Sequence, residues 1–239
     1  MSDQVLADIR RELLERADPS KAGLLGRFFK TGPGQYGEGD LFMGVMVPNT
    51  REVAALHKSE DLPTIERLLH SEYHEERLCG VVILVGQYKR SKSETHRAEL
   101  FNFYLGMLAE GRINNWDLID SSAPYLGEWL IGRSDAMSLL RDLSVSDQLW
   151  QRRASIMLTA PFIRALQFEP TLEMCTRLIG DKHDLIHKAT GWMLREVGKR
   201  DVEVLRGFLE QHVKAMPRTM LRYAIEKLPE TERKAWLAR

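Results

Sequence analysis

The sequence lacks the features that would assign it to several common protein classes. It has two cysteines among 239 residues, Cys79 and Cys175, too few for a disulfide framework and without the company of other metal ligands. The uncharged run from Leu78 to Tyr88 is too short to cross a bilayer. The first residues form a polar, amphipathic pattern with no apolar signal segment. We therefore expect a reduced, cytoplasmic protein with no membrane partner.

An excess of one charge is also absent. Lysine plus arginine and aspartate plus glutamate both number 34, so the net charge argues neither for nor against nucleic acid. The distribution is more informative, because residues 181–239 carry 13 basic and 9 acidic side chains. This mild positive bias near the C-terminal end favours phosphate, although it is weak support by itself.

No segment shows the alternation of apolar and polar residues that is typical of a strand. A helical period runs from a predicted helix at 3–16 to one at 230–238. The pattern predicts a break between helices at 115–120 and 122–131, and a helix at 147–159 that ends before Pro161. The sequence therefore predicts an all-α protein.

The second half of the chain repeats itself. The segments Arg152–Ala154, His187–Ala189 and Arg222–Ala224 recur at a spacing of 35 residues, each followed by an apolar residue at a helical interval. Such a period is typical of an α-solenoid, in which stacked antiparallel helix pairs bury a common core. We expect a single repeat domain over residues 1–239, with the second helix of each pair lining a concave face.

A short stretch near the middle of the chain carries candidate chemistry. Asn114 and Asn115 offer a helix cap before Trp116, and Asp120 follows Trp116 by four residues. The indole and the carboxylate therefore share one face of a helix, away from the apolar residues. The alternative is a tryptophan at a seam between helices beside an ordinary surface aspartate.

The predicted helix at 184–199 carries a basic row opposite its apolar stripe. At about 100° per residue, four side chains fall on one side of this helix: Lys188, Trp192, Arg195 and Lys199. Such a row suits a phosphate backbone beside an aromatic surface. The alternative is a solvated face whose tryptophan packs on a neighbouring repeat. Arg153 has the same repeat register as Lys188, which favours the shared face.

Three further patterns resemble nucleotide-binding or metal-binding motifs but lack the neighbouring residues or elements that such motifs require. The segment Gly32–Gly37 spells G-x-G-x-x-G, but a helix precedes it and no βαβ unit follows, so we expect a loop that ends a helix. His70 and His74, like His183 and His187, are four residues apart without a third ligand. We expect surface histidines and no metal.

Four stretches together carry a family resemblance, and they span most of the chain: Tyr36–Asp40, Trp116–Asp120, Trp150–Ala154 and His187–Glu196. They resemble the bacterial HEAT-repeat DNA alkylation repair glycosylases of the AlkD type. The resemblance implies an all-α fold, an α-solenoid of HEAT-like antiparallel helix pairs in one domain over residues 1–239, with a concave DNA-binding face. It also implies excision of N3- and N7-alkylated purines from double-stranded DNA, by a monomer that uses neither metal nor organic cofactor.

The resemblance also assigns roles to individual residues. Asp120 matches the catalytic carboxylate, Trp116 and Trp192 the aromatic walls, and Arg153 the phosphate-anchoring arginine. Five residues are expected to contact DNA: Arg152, Lys188, Arg195, Lys199 and Phe28. Phe28 stands where relatives can carry tyrosine, so the ring remains and the hydroxyl is lost. A change in lesion preference would follow.

A second class of function stays open at this point. The chain could be a helical-repeat protein that binds DNA without catalysis, or a scaffold for a peptide. A scaffold has no need for Trp116, Asp120 and Trp192 to converge, so their presence favours the enzyme. Excision activity would discriminate the two classes.

Overall fold

The computed structural model describes residues 2–239, and its regular secondary structure is helical. The only β feature within that range is a single parallel bridge between Leu41 and Tyr73. The chain divides into two compact units, one up to Ser122 and the other from Ala123. The prediction of a single domain over 1–239 stays a prediction, and the two units are described separately.

The first unit contains six helices and the start of a seventh: α1 (Ser2–Leu14), α2 (Pro19–Phe28), α3 (Val47–Leu56), α4 (Leu62–Leu69), α5 (His74–Arg90), α6 (Glu94–Ala109) and α7 (Trp116–Leu126). Helix α5 is the centre of this unit, since α1, α3, α4 and α6 all pack against it. Most of its residues are buried, which explains why its sequence shows little polar face.

The second unit begins within α7 and continues through a 3₁₀ helix at Gly127–Leu130. Its other elements are α8 (Ala136–Ser144), α9 (Leu149–Met157), α10 (Ala160–Arg164), α11 (Glu169–Arg177), α12 (Asp184–Gly198), α13 (Val202–His212), α14 (Arg218–Ala224) and α15 (Glu230–Leu237).

The 35-residue recurrence corresponds to helices that pack side by side. Its three segments lie on α9, α12 and α14, and α12 packs against both of the others. The alanines of the recurrence, Ala154, Ala189 and Ala224, are all buried. Small residues at equivalent positions let neighbouring helices approach, which is how repeats share a core. The curvature of the array and its concave face stay predictions.

One predicted boundary was wrong, and one short helix was not predicted. Helix α7 runs without a break through Pro124, because Leu118, Ile119, Ala123 and Leu126 form one buried stripe across the expected junction. The short helix α10 was missed, since its five residues are too few for a periodic pattern to be read. Seven other prolines lie at helix starts or caps: Pro19, Pro48, Pro63, Pro161, Pro170, Pro217 and Pro229.

The seam between α12 and α14 generates a stability prediction. A Cβ atom at Gly191 would lie 2.5 Å from the Met220 carbonyl oxygen and 2.6 Å from the Tyr223 Cβ. Gly191→Ala should therefore lower the free energy of unfolding by about 1–3 kcal/mol through overpacking, as measured by urea denaturation.

Gly207, inside α13, is the matched control, because a Cβ there meets nothing within 4 Å. Gly207→Ala should raise the free energy of unfolding by roughly 0.5–1 kcal/mol through better helix propensity. Equal effects of the two substitutions would contradict the close approach of α12 and α14.

Candidate functional site

The first turn of α7 has the cap that the sequence predicted. The Asn115 side chain accepts a hydrogen bond from the Trp116 backbone N–H at 2.9 Å, and Asn115 is fully buried. Leu118 and Ile119 are also fully buried, whereas Trp116 and Asp120 are partly exposed. Trp116 and Asp120 therefore lie one helical turn apart on the side of α7 that is not core.

The negative charge of Asp120 influences a buried tyrosine on α6. Burial raises the pKa of Tyr104, and the negative charge of Asp120 raises it further. The Tyr104 hydroxyl accepts a hydrogen bond from Ser122 at 3.3 Å. The Asp120 carboxylate thus stands at the border between solvent and the core of the first unit.

An aromatic cluster fixes the indole of Trp116. Its ring stacks on Phe29, with centroids 5.3 Å apart and planes at 12°, and meets the edge of Phe28 at 5.9 Å. Phe29 in turn stacks on Phe42 at 5.1 Å. Phe29 is buried, but Phe28 is 62% exposed, a high value for a phenylalanine. Phe28 therefore presents its ring to solvent beside Trp116.

A buried group of charges lies beneath this cluster. His74 places its Nε2 atom 2.8 Å from an Asp117 carboxylate oxygen and its Nδ1 atom 3.2 Å from an Asp40 oxygen. Asp40 also forms an ion pair with Arg77 at 2.6 Å and accepts a hydrogen bond from Asn115 at 3.2 Å. We refer to His74, Asp40, Asp117, Arg77 and Asn115 as the buried polar cluster.

The two carboxylates hold His74 in its charged form. Burial by itself would lower the pKa of His74, but the negative charges and hydrogen bonds of Asp117 and Asp40 outweigh it and raise the pKa to about 9. Burial would likewise raise the pKa of Asp40, yet the bonds from His74 and the charge of Arg77 keep it below its usual range. Two cations therefore neutralise two anions within the core.

The prediction that His74 lies on the surface was wrong, since its side chain is 2% exposed. Sequence reasoning also assigned no role to Asp40, although Tyr36–Asp40 contributed to the resemblance. A polar Glu72–Arg77 segment ahead of the apolar run in α5 was the signal available, because charges that start a buried helix need buried partners.

The loop between α2 and α3 carries Asp40 and is held by Glu75. The Glu75 carboxylate accepts hydrogen bonds of 2.9–3.1 Å from the backbone N–H groups of Met43, Gly44 and Val45. A Cβ at Gly37 would lie 2.4 Å from the Phe29 carbonyl oxygen, so the loop folds tightly against the end of α2. The interpretation of Gly32–Gly37 as a loop that ends a helix agrees with this arrangement.

The basic row on α12 exists, but each cation has a carboxylate partner. Lys188 pairs with Asp184 at 2.7 Å, Lys199 pairs with Glu196 at 2.6 Å, and Arg195 pairs with Glu226. The Lys188 and Lys199 side chains are each 40% exposed, whereas that of Arg195 is 17% exposed. Trp192 is partly exposed. A phosphate group would have to exchange with carboxylates that are already present.

The side chains of Arg152 and Arg153 form hydrogen bonds to other residues of the second unit. Arg152 pairs with Asp181 at 2.7 Å and donates to the Ser146 and Asp147 carbonyl oxygens. Arg153 is buried and donates to the Leu185 carbonyl oxygen in the first turn of α12 at 2.5 Å. Arg153 and Lys188 share a repeat register but differ in exposure. The DNA contacts assigned to both arginines stay predictions, as do the roles of Trp192 and the α12 cations.

The His183 side chain and the two cysteines have roles or positions in the packing of the helices. His183 accepts a hydrogen bond from the Leu185 N–H as the cap of α12. Both cysteines are buried, and burial raises the pKa of the Cys79 thiol to about 12. Among residues 2–239, no group of three or more His, Cys, Asp or Glu side chains is arranged to hold a metal ion. None of the helices in this range is long and apolar enough to cross a membrane.

The helices of both units define an all-α protein with recurring helices in its second unit. Comparison with known proteins gives the family. The family model described as "DNA alkylation repair enzyme" matches residues 9–228. The chain therefore belongs to the DNA alkylation repair enzyme family, which supports a role in the repair of alkylated DNA. The curated proteins gave no match.

A solved structure supports the fold independently. The chain is similar to a predicted DNA alkylation repair enzyme from Enterococcus faecalis, with a TM-score of 0.68 and 15% identity. The match covers 90% of this chain and 98% of that one. At this identity the likeness shows the fold, and the fold agrees with the all-α prediction.

The Glu75 contacts generate a second prediction. Glu75→Gln replaces one acceptor oxygen with an N–H donor that faces backbone N–H groups, so the free energy of unfolding should fall by about 1–3 kcal/mol. Hydrogen exchange at Met43, Gly44 and Val45 should accelerate. Glu72→Gln, at an exposed position, should change neither quantity. Unchanged protection of these three amides in Glu75→Gln would exclude the carboxylate as their anchor.

Proposed function

We propose that this protein is a DNA glycosylase that excises N3- and N7-alkylated purines by hydrolysis of the N-glycosidic bond. The observation that carries the proposal is the pairing on α7 of a partly exposed carboxylate, Asp120, with a partly exposed indole, Trp116. Membership of the DNA alkylation repair enzyme family supports DNA as the substrate.

The reaction suits a site with one carboxylate and no strong acid. Alkylation at N3 or N7 makes the purine a cation, so the base is already activated as a leaving group. As the glycosidic bond breaks, positive charge develops on the deoxyribose. A carboxylate beside the sugar stabilises this charge and can orient the attacking water. In this proposal Asp120 supplies that carboxylate.

The attraction between the Asp120 carboxylate and the developing positive charge on the sugar is large enough to accelerate the reaction substantially. At a separation of ~4 Å and an effective dielectric constant of ~20, a carboxylate and a unit positive charge attract by about 4 kcal/mol. That energy corresponds to roughly a thousandfold in rate. Because Asp120 borders the core rather than open solvent, its field is screened less than that of a fully hydrated carboxylate.

The aromatic residues would provide the walls of the site. Trp116 offers a flat apolar surface for the sugar and excludes water from the reacting bond. Phe28, at the edge of Trp116, offers an exposed ring without a hydroxyl. Phe28 therefore discriminates among lesions by contact rather than by hydrogen bonding. Trp192 is proposed as the second wall, as the family resemblance implies.

Asp120→Asn separates an enzyme from a binding protein. The substitution keeps the shape of the side chain but removes its charge, so excision of alkylated purines should fall by one to three orders of magnitude, about 1.4–4 kcal/mol of barrier. DNA affinity should hold or rise slightly, since a carboxylate near phosphates is repulsive. Release of 7-methylguanine from alkylated duplex DNA is the measurement.

Asp142→Asn provides the matched control, because Asp142 is an exposed aspartate on α8. It should leave both excision and affinity unchanged. Excision by Asp120→Asn at the wild-type rate would remove Asp120 from the mechanism.

DNA binding by α12 gives a further prediction. Each phosphate contact contributes about 0.9 to the slope of log affinity against log salt concentration, so Lys188→Ala should flatten that slope by about one unit on any sequence. Lys214→Ala, at an exposed lysine after α13, should leave the slope unchanged. An unchanged slope in Lys188→Ala would show that the DNA lies elsewhere.

A further inference from the structure

The buried polar cluster connects three separate elements of the first unit through one imidazole ring. His74 begins α5, Asp40 lies on the loop between α2 and α3, and Asp117 lies in the first turn of α7. Both ring nitrogens of His74 face carboxylate oxygens, at 2.8 Å and 3.2 Å. A carboxylate only accepts hydrogen bonds, and a neutral imidazole has one N–H group. Only the imidazolium form satisfies both carboxylates.

The same ring also belongs to the aromatic cluster. His74 lies 4.8 Å from the ring centroids of both Phe42 and Phe29, and Phe29 stacks on Trp116. His74 therefore reaches Trp116 by two routes. One route runs through Asp117, the next residue along the chain from Trp116, and the other runs through the ring of Phe29.

We propose that His74 is the positioning residue of the candidate site, holding Trp116, and through α7 the Asp120 carboxylate, in place by acting as a buried cation between Asp40 and Asp117. This inference rests on the proposed glycosylase function for its kinetic consequences. His74 touches neither substrate nor reacting atoms in this role. It locks the first turn of α7 against the loop that carries Asp40.

The charge balance around the ring explains why a cation is required. Asp117 faces it from α7, Asp40 faces it from the loop, and Arg77 approaches Asp40 from α5 itself. The adjacent Glu75 is directed at the loop backbone instead. Without the imidazolium charge, two buried carboxylates would share the single charge of Arg77. Such an uncompensated buried charge destabilises strongly.

The charge balance around His74 predicts that the stability of the first unit decreases as the pH rises. The pKa of His74 is raised from 6.5 to about 9 in the folded protein. The stabilisation from the imidazolium is therefore fully present below about pH 6.5, declines above it and is lost as the pH rises through about 9. The geometry of Trp116 should follow the same titration.

The test combines a spectroscopic readout with a kinetic one. The chain has five tryptophans, so the indole N–H signal of Trp116 is assigned in the NMR spectrum by its loss in Trp116→Phe. In the wild type this signal should titrate with an apparent pKa of about 9. In His74→Gln the signal should be displaced and its titration abolished. His70→Gln, at a more exposed histidine four residues earlier, should behave as the wild type.

In the kinetic arm, His74→Gln should reduce kcat for excision by roughly 10- to 100-fold with DNA affinity unchanged, as expected for a misplaced catalytic group. The wild-type rate should fall above pH 9, and this limb should be absent from the variant. If His74→Gln does not fold, the double variant His74→Gln/Asp117→Asn is measured instead. It lacks the Asp117 carboxylate, which the loss of the imidazolium would otherwise leave unpaired.

The outcomes are distinguishable. A Trp116 signal that does not titrate near pH 9, or that titrates equally in the variant, overturns the positioning role. An unchanged kcat in a folded variant overturns it as well. If the wild type releases no alkylated purine, the proposed glycosylase function fails, while the indole titration still decides whether His74 positions Trp116.

Discussion

The first unit depends on the neutralisation of charge inside its core. Asp40 and Asp117 are buried carboxylates, and each would be strongly destabilising alone. His74 and Arg77 supply two positive charges within hydrogen-bonding distance, and the bonds run between α5, α7 and the loop before α3. Because these bonds are directional, they fix the relative placement of the three elements more closely than apolar packing would.

The buried polar cluster holds the first turn of α7, one turn before the candidate catalytic carboxylate Asp120. Electrostatic stabilisation of a developing sugar cation requires a carboxylate whose position does not relax during the reaction. Asp120 follows the anchored first turn of α7 by a single turn, and Trp116 is held between Asn115, Phe28 and Phe29. The proposed site therefore draws its rigidity from buried contacts, while its reactive groups stay partly exposed.

The local periodic features could be predicted from the sequence. The helical period predicted an all-α fold, the 35-residue recurrence marked α9, α12 and α14, and the cap at Asn115 placed the start of α7. These features depend on neighbours along the chain, which a sequence displays directly.

Contacts distant in sequence could not be predicted in this way. His74 and Asp117 are 43 residues apart, and Asp40 and Asn115 are 75 apart. No local pattern shows that such residues meet. The burial of Arg153 could not be predicted either. Its position in the repeat does not show whether a neighbouring helix covers the side chain.

Excision of alkylated purines can be measured by incubating the purified wild-type protein with methylated duplex DNA and identifying the bases released. We expect enzyme-dependent release of free 3-methyladenine or 7-methylguanine without any added metal or cofactor. Salt-sensitive binding to the same DNA with no release of either base would contradict it, and would identify the protein as a helical-repeat DNA-binding protein without catalysis.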